Sequence, residues 1–216
     1  RLYRADLNGA DLQGARLDGA DCILARLEGA RCMKAVFTGA DLSGAGLSGA
    51  DLSGADLSGA LLFGSNLDRA QLAGSNLSGA KLYFSSFRGV DFRSVRLDRA
   101  DFRDAKLGGA DLRGVRLRGN LLTGADFTGA LLRNADLGGT NLSGVQFEAA
   151  DLSGADLSGA DLSGASLKQI KLYGARLSGA IIDRKYRPML LNQNVYLSGV
   201  IWVSGGAEKP EEGRGP

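Results

Sequence analysis

No histidine occurs anywhere in the 216 residues, which removes Ser-His-Asp and Cys-His catalysis and His-ligated zinc together. Only 3 prolines and 2 cysteines are present, and two Cys are too few to fix a redox compartment or a disulfide framework. No apolar stretch approaches the roughly 18 residues that a membrane-spanning helix needs, and nothing near the N-terminus reads as a signal peptide, so no membrane insertion is expected. An excess of charge of one sign is missing too: 26 Lys and Arg face 24 Asp and Glu, a formal net charge of +2. That balance implies neither a strongly basic nucleic-acid binder nor a strongly acidic decoy, and it leaves any electrostatic role to local columns of charge.

Glycine is plentiful, at 33 residues, and its placement is periodic. An apolar residue stands at every fifth position: Leu7, Leu12, Leu17, Cys22, Leu27, Cys32, Phe37, Leu42 and onward to Leu172, Leu177 and Ile182. Two places earlier sits a small residue, usually Ala, with Ser65, Ser75, Val90, Val115 and Thr140 as mild departures and Asn120 and Ile170 as awkward ones. Five is neither the helical period of 3.6 nor the strand period of 2, and about 36 repeats in one phase cannot be an amphipathic helix. The chain must turn a corner every five residues, and Gly at Gly9, Gly14, Gly44 and Gly49 supplies the positive φ that a tight corner needs. Four sides make a coil of twenty residues. Stacked at the inter-strand spacing, about nine coils would make a rod on the order of 43 Å long.

Stretches such as Ala50-Asp51-Leu52-Ser53-Gly54 and Ala155-Asp156-Leu157-Ser158-Gly159 resemble the consensus of the pentapeptide-repeat family: Ala, then Asp or Asn, then Leu, then two variable residues. The resemblance covers residues 2–182. It implies an all-β fold, a right-handed quadrilateral parallel β-helix, with the Ala and Leu positions inward and the other three outward. It implies no single activity, because function lives in sites grafted on a fold. Members of the family are abundant in cyanobacteria, some occur in the thylakoid lumen of plastids, and some protect DNA gyrase by imitating duplex DNA with acidic columns.

Arg187 and Asn192 break the pattern where an apolar residue is due, so residues 183–204, with Tyr186, Pro188, Met189, Leu190, Leu191, Tyr196 and Trp202, are expected to cap the last coil as a short helix plus a strand. Residues 205–216 read as a disordered polar extension by composition. The N-terminal coil shows no cap, so preceding residues, a partner, or a second copy in an end-to-end homo-oligomer is expected to cover it. Arg1 opens the chain with the repeat already in register at Leu2, compatible with removal of a targeting peptide or with a truncated chain. A thylakoid lumen or other organelle and a bacterial cytoplasm are the leading settings.

Catalysis is not expected, since an unbroken five-residue phase leaves no long loops to build a cleft. Nor is a metal or cofactor. Asp41, Asp51 and Asp56 fall on different faces of the square, and calcium-binding β-rolls have a nine-residue period, so these carboxylates are read as turn-stabilising. Cys22 and Cys32 occupy inward positions on opposite walls and are read as buried thiols rather than a disulfide. Phe37, Phe87, Phe92, Phe102, Phe127 and Phe147 are read as core.

Binding remains. The column Asp11, Asp51, Asp91, Asp111, Asp151 begins a DNA-like acidic face, but Arg31 interrupts it and Arg93, Arg113 and Arg133 stand beside it, so gyrase mimicry is the alternative rather than the leading reading. Nucleic-acid binding is not expected either, because the mid-rod belt of Arg88, Arg93, Arg96, Arg99, Arg103, Arg113, Arg116, Arg118 and Arg133 is interleaved with Asp91, Asp98, Asp101, Asp104 and Asp111 and reads as ion-paired ladders. The leading expectation is a docking or structural subunit of a larger protein assembly, organellar or photosynthetic, that binds a protein partner. Its docking surface is expected where large apolar residues occupy outward positions on one face: Ile23, Leu24, Leu61, Phe63, Tyr83, Phe84 and Leu121.

Overall fold

The computed structural model of the protein describes residues 1–204; the tail expected over residues 205–216 lies outside the described residues. The five-residue phase becomes a four-walled coil in which each residue pairs in parallel with the one twenty positions on, as in Asp6 with Arg26, Arg26 with Gly46 and Gly46 with Asn66. The hydrogen bonds repeat with the same register. Leu47 donates its N–H to the Asn66 carbonyl at 2.7 Å, Gly49 donates to Asp68 at 3.0 Å, and Asp51 donates back to Ala30 at 2.9 Å. Ala50 donates to Leu47 at 3.0 Å and closes the corner.

The corners decide which residues the pattern tolerates. The residue two places after nearly every central apolar position takes positive φ, from Gly9 at 64° to Gly199 at 67°, a conformation that costs an L side chain about 1–2 kcal/mol. Asp or Asn fits just before the centre because its Oδ1 accepts the N–H two residues on. Asp51 does so for Ser53 at 3.0 Å and Asp156 for Ser158 at 2.9 Å, which makes these carboxylates turn braces.

Four walls follow from this register. The first carries Cys22, Leu42, Leu62, Leu82 and Phe102 inward, the second Leu67, Phe87, Leu107 and Phe127, the third Leu52, Leu72, Phe92 and Leu112, and the fourth Leu57, Leu77, Leu97 and Leu117. From Cys22 onward these side chains, with the small residues at the corners, form one continuous buried core. In the first coil Leu2, Leu7, Leu12 and Leu17 are only partly buried.

After Ile182 the coil is interrupted. Strands β1 (Asp161–Leu162), β2 (Ile181–Asp183) and β3 (Ile201–Val203) pair in that order, all parallel, on the first wall. Between β2 and β3 run a 3-10 turn over Arg184–Tyr186 and the short helix α1 (Arg187–Leu191). Pro188 suits the first turn of that helix, where its missing N–H is not needed. Leu190 is fully buried against the end of the core.

The helix cannot offer carbonyls to the coil below, and side chains take their place. Tyr186 Oη accepts the Leu167 N–H at 3.2 Å. Gln193 Oε1 accepts the Leu172 N–H at 2.8 Å while its Nε2 donates to the Ile170 carbonyl at 3.1 Å. Replacing Gln193 by Ala leaves one donor and one acceptor of the coil end without partners, an expected loss of about 1–3 kcal/mol in urea unfolding. Deleting residues 183–204 should expose the coil end and drive aggregation or end-to-end association in light scattering. A monomer with an unchanged melting temperature would show that this segment is not a cap.

Candidate functional site

The first wall holds the cluster expected from outward apolar residues. Phe63 stands in one coil and Tyr83 and Phe84 in the next, and the stacking of coils brings all three rings together. Phe63 and Tyr83 have centroids 5.0 Å apart, Phe63 and Phe84 meet edge-on at 5.8 Å, and Tyr83 and Phe84 at 6.2 Å. Leu61, Phe63 and Phe84 are 41%, 44% and 56% exposed, so the cluster presents apolar surface to solvent rather than burying itself. Tyr83 is half-buried, with the Arg103 guanidinium 6.0 Å from its ring centroid. Leu24 lies further down the wall, exposed, with Ile23 half-buried beside it. The Leu24 side chain leans over the next coil, where a Cβ added to Gly44 would meet its Cδ2 at 2.7 Å. Leu121 stands exposed two coils above Tyr83.

Two of these residues sit where the corner demands positive φ: Leu24 at 56° and Phe84 at 60°. Most other corners solve this with Gly. The wall thus carries backbone cost and exposed apolar surface at the same two positions, a coincidence that packing within the rod does not require.

The charged belt is partly paired. Arg93 binds Asp91 at 2.7 Å and reaches Asp111 of the next coil at 3.3 Å. Arg113 binds Asp111, Arg133 binds Asp151 at 2.6 Å, and Arg118 binds Asp136 at 3.2 Å. On the first wall Arg103 holds the buried Asp101 at 2.7 Å. The ion-paired ladders expected of the belt are thus formed by Arg93, Arg103, Arg113, Arg118 and Arg133, while Arg88, Arg96, Arg99 and Arg116 have no ion-pair partner among the described residues.

These pairs set the acidities. The Arg93, Arg103 and Arg113 side chains, each donating to the carboxylate two residues back, hold Asp91, Asp101 and Asp111 below the ordinary carboxylate value. Burial pushes the Cys32 thiol up to about 11 and raises Cys22 as well. Both cysteines are free and buried, so neither is a thiolate nucleophile at neutral pH.

Among the described residues no three His, Cys, Asp or Glu side chains approach closely enough to hold a metal ion, and no helix is long and apolar enough to cross a membrane. An open groove of about 620 Å³, which the unbroken phase did not foretell, runs over Gly154, Asp156, Gly174, Arg176, Ser178 and Tyr196 at the C-terminal end of the third and fourth walls. Tyr3, Leu131, Tyr173 and Ile201 are exposed outside the expected docking residues, Tyr3 and Ile201 on the first wall itself, and Leu191 and Tyr196, expected in the cap, are exposed as well.

Comparison with known proteins agrees with this architecture. The family model for pentapeptide repeats matches in 8 copies, over stretches that run from residue 1 to residue 179. The chain belongs to the pentapeptide-repeat family. Its fold is the right-handed quadrilateral β-helix of that family. Among solved structures it is similar to HetL, a pentapeptide-repeat protein involved in heterocyst differentiation regulation in the cyanobacterium Nostoc sp. strain PCC 7120, at 32% identity over 93% of this chain and 90% of HetL, with a TM-score of 0.67. It is also similar to a pentapeptide-repeat protein of the Arabidopsis thaliana thylakoid lumen, at 30% identity over 57% of this chain and 75% of that one, with a TM-score of 0.31. The plasmid-mediated fluoroquinolone resistance protein QnrB1 matches at 20% identity over 89% of this chain and 91% of its own, with a TM-score of 0.38. No curated protein matches the chain.

The Arg103 contact yields a pH prediction. Because the folded acidity of Asp101 lies below its unfolded value of about 4, its stabilisation is complete above that value and is lost as pH falls through the lower folded one. Arg103→Met removes the donor, so the Asp101 carboxyl should titrate at higher pH in carbon-detected NMR, and the acid-unfolding midpoint should move to higher pH. An unmoved titration would mean that the contact does not set the acidity.

Proposed function

We propose that this pentapeptide-repeat protein is a non-enzymatic docking subunit or scaffold that presents the aromatic cluster of its first wall to a protein partner in a larger assembly. The observation that carries this reading is the mutual contact of three outward-facing rings, Phe63, Tyr83 and Phe84, with Phe84 kept at positive φ where Gly would be less costly. Aromatic side chains anchored on a flat rigid wall are the type of surface from which interface hot spots are made, and Ser43, Lys81 and the ion-paired Arg103 supply a polar rim. The involvement of HetL in heterocyst differentiation regulation is consistent with a protein that acts by binding. The DNA-mimic reading is less well supported, because Arg93, Arg113 and Arg133 neutralise the carboxylates of the third wall within a few ångströms.

Replacing Phe63 and Tyr83 together with Ser should weaken association with a partner purified from the native source by about 2–4 kcal/mol, measured by titration calorimetry, with the circular dichroism spectrum unchanged because neither side chain faces the core. Phe84→Gly should weaken binding as well while leaving the melting temperature equal or higher, since it relieves the corner. A partner that binds these variants as it binds the wild type would remove the first wall from the account.

The absence of turnover is testable separately. Asp51→Ala, Asp111→Ala and Arg113→Ala should alter no chemical conversion of any small molecule by the protein. A reaction that disappears with one of these substitutions would overturn the non-enzymatic reading.

A further inference from the structure

The ladder that holds the coils together is interrupted three times in mid-rod, and the interruptions are ordered. Among the described residues, the parallel pairings of Gln71 with Asp91, Arg96 with Arg116 and Leu121 with Asn141 are missing from an otherwise regular series. With them go the bonds that Leu72, Leu97 and Leu122 would donate to the following coil. Each gap lies twenty-five residues after the last, one coil higher and one wall further round: third wall, fourth wall, first wall. The second wall is not interrupted. There Leu67, Phe87, Leu107 and Phe127 donate to Ser86, Lys106, Asp126 and Gln146 at 2.7, 2.7, 2.7 and 2.8 Å.

The cause is visible in the core. The single turn from Phe87 to Phe102 carries Phe on three of its four walls, with ring centroids 5.5, 5.8 and 6.0 Å apart, and Val90 and Val95 replace Ala at two of its corners. A lumen sized for Leu and Ala has little spare volume for three such rings. Val95 is squeezed to a half-exposed position, although nearly every corner residue from Ala25 onward is buried. Ser94 is absent from the positive-φ residues that make the other repeat corners, and its Oγ accepts the Gly74 N–H at 3.1 Å in place of a backbone carbonyl. A groove of about 300 Å³ opens at the first gap, over Gln71, Leu72, Ala73 and Asp91. At the second gap Arg96 and Arg116 would stack like charge on like charge, which opposes closure. Below the third gap, Asn120 fills a small-residue site, accepting the Ala100 N–H at 2.7 Å and donating to the Leu117 carbonyl at 3.2 Å.

We infer that the rod flexes about this oblique fault, with the uninterrupted second wall as hinge and the opposite fourth wall, at Arg96 and Arg116, as the side that opens. Each gap removes resistance on one wall of one coil interface, while its neighbours keep their bonds, as Phe92 to Asp111 and Phe102 to Leu121 do at 2.8 Å beside the second gap; because the third, fourth and first walls each lose a pairing and the second loses none, the three small tilts add to a bend that opens the fourth wall. The coils on either side of the fault keep their ladders and move as bodies.

Spin-label distance measurements on the full chain test this. Labels at Ser58→Cys and Ser158→Cys span the fault on the fourth wall, and labels at Ser48→Cys and Glu148→Cys span the same number of coils on the second, each in a background with Cys22→Leu and Cys32→Leu. The fourth-wall distance distribution should be about twofold broader than the second-wall one. In the triple variant Phe92→Leu, Ser94→Gly, Val95→Ala, which restores residues common in the repeat, the fourth-wall distribution should narrow to match the second. Equal widths in the unaltered rod would overturn the inference. So would a fourth-wall distribution that stays broad in a variant whose circular dichroism shows a complete fold.

Discussion

Every feature of this rod depends on one constraint, the hydrogen-bond ladder between residues twenty apart. For the ladder to close on four walls at once, each side must be five residues long and each corner must turn sharply. The lumen must also hold side chains of nearly constant size. Ala and Leu meet the volume requirement, Gly the corner requirement, and Asp or Asn braces the corner through its own side chain. Almost nothing is left over from which to build a cleft, so the freedom that remains lies in three outward positions per side. A protein with this backbone acts through columns of surface side chains.

Departures from the constraint therefore carry information, and they fall into two kinds. Outward departures, Leu24 and Phe84 at positive φ and Phe63 and Tyr83 beside them, leave the ladder of their own wall intact between their coils and alter what the surface offers. Inward departures, Phe87, Phe92, Phe102 and Asn120, alter the lumen and loosen the ladder itself. On the function and the flexing proposed above, the first kind bears on recognition and the second on mechanics. The aromatic cluster of Phe63, Tyr83 and Phe84 sits just before the turn from Phe87 to Phe102.

The division between what could and could not be read beforehand follows the same line. Period, inward positions and the grouping of Leu61, Phe63, Tyr83 and Phe84 are consequences of counting by five and twenty, and counting suffices for them. Whether three Phe rings in one turn fit together is a question of summed volume. No single position answers it, and the gaps at Leu72, Leu97 and Leu122 appear only once the coil is built. The end of the rod was hidden for another reason. Gln193 and Tyr186 look like ordinary polar surface residues until the helix over Arg187–Leu191 takes away the carbonyls that Leu172 and Leu167 would otherwise meet. The ion pairs fall between these cases, since alternation of sign predicts neighbours but the corner geometry chooses which Arg reaches which Asp.

The central claim is that the first wall is the face turned toward a protein partner. Hydrogen exchange of the rod, free and in complex with a partner purified from its native source, tests it without altering a residue, because each wall reports through its own amides. The account predicts slower exchange on binding for first-wall amides near Phe63, Tyr83 and Phe84, with the second and fourth walls unchanged. Protection confined to the third wall, along Asp91, Asp111 and Asp151, would contradict it.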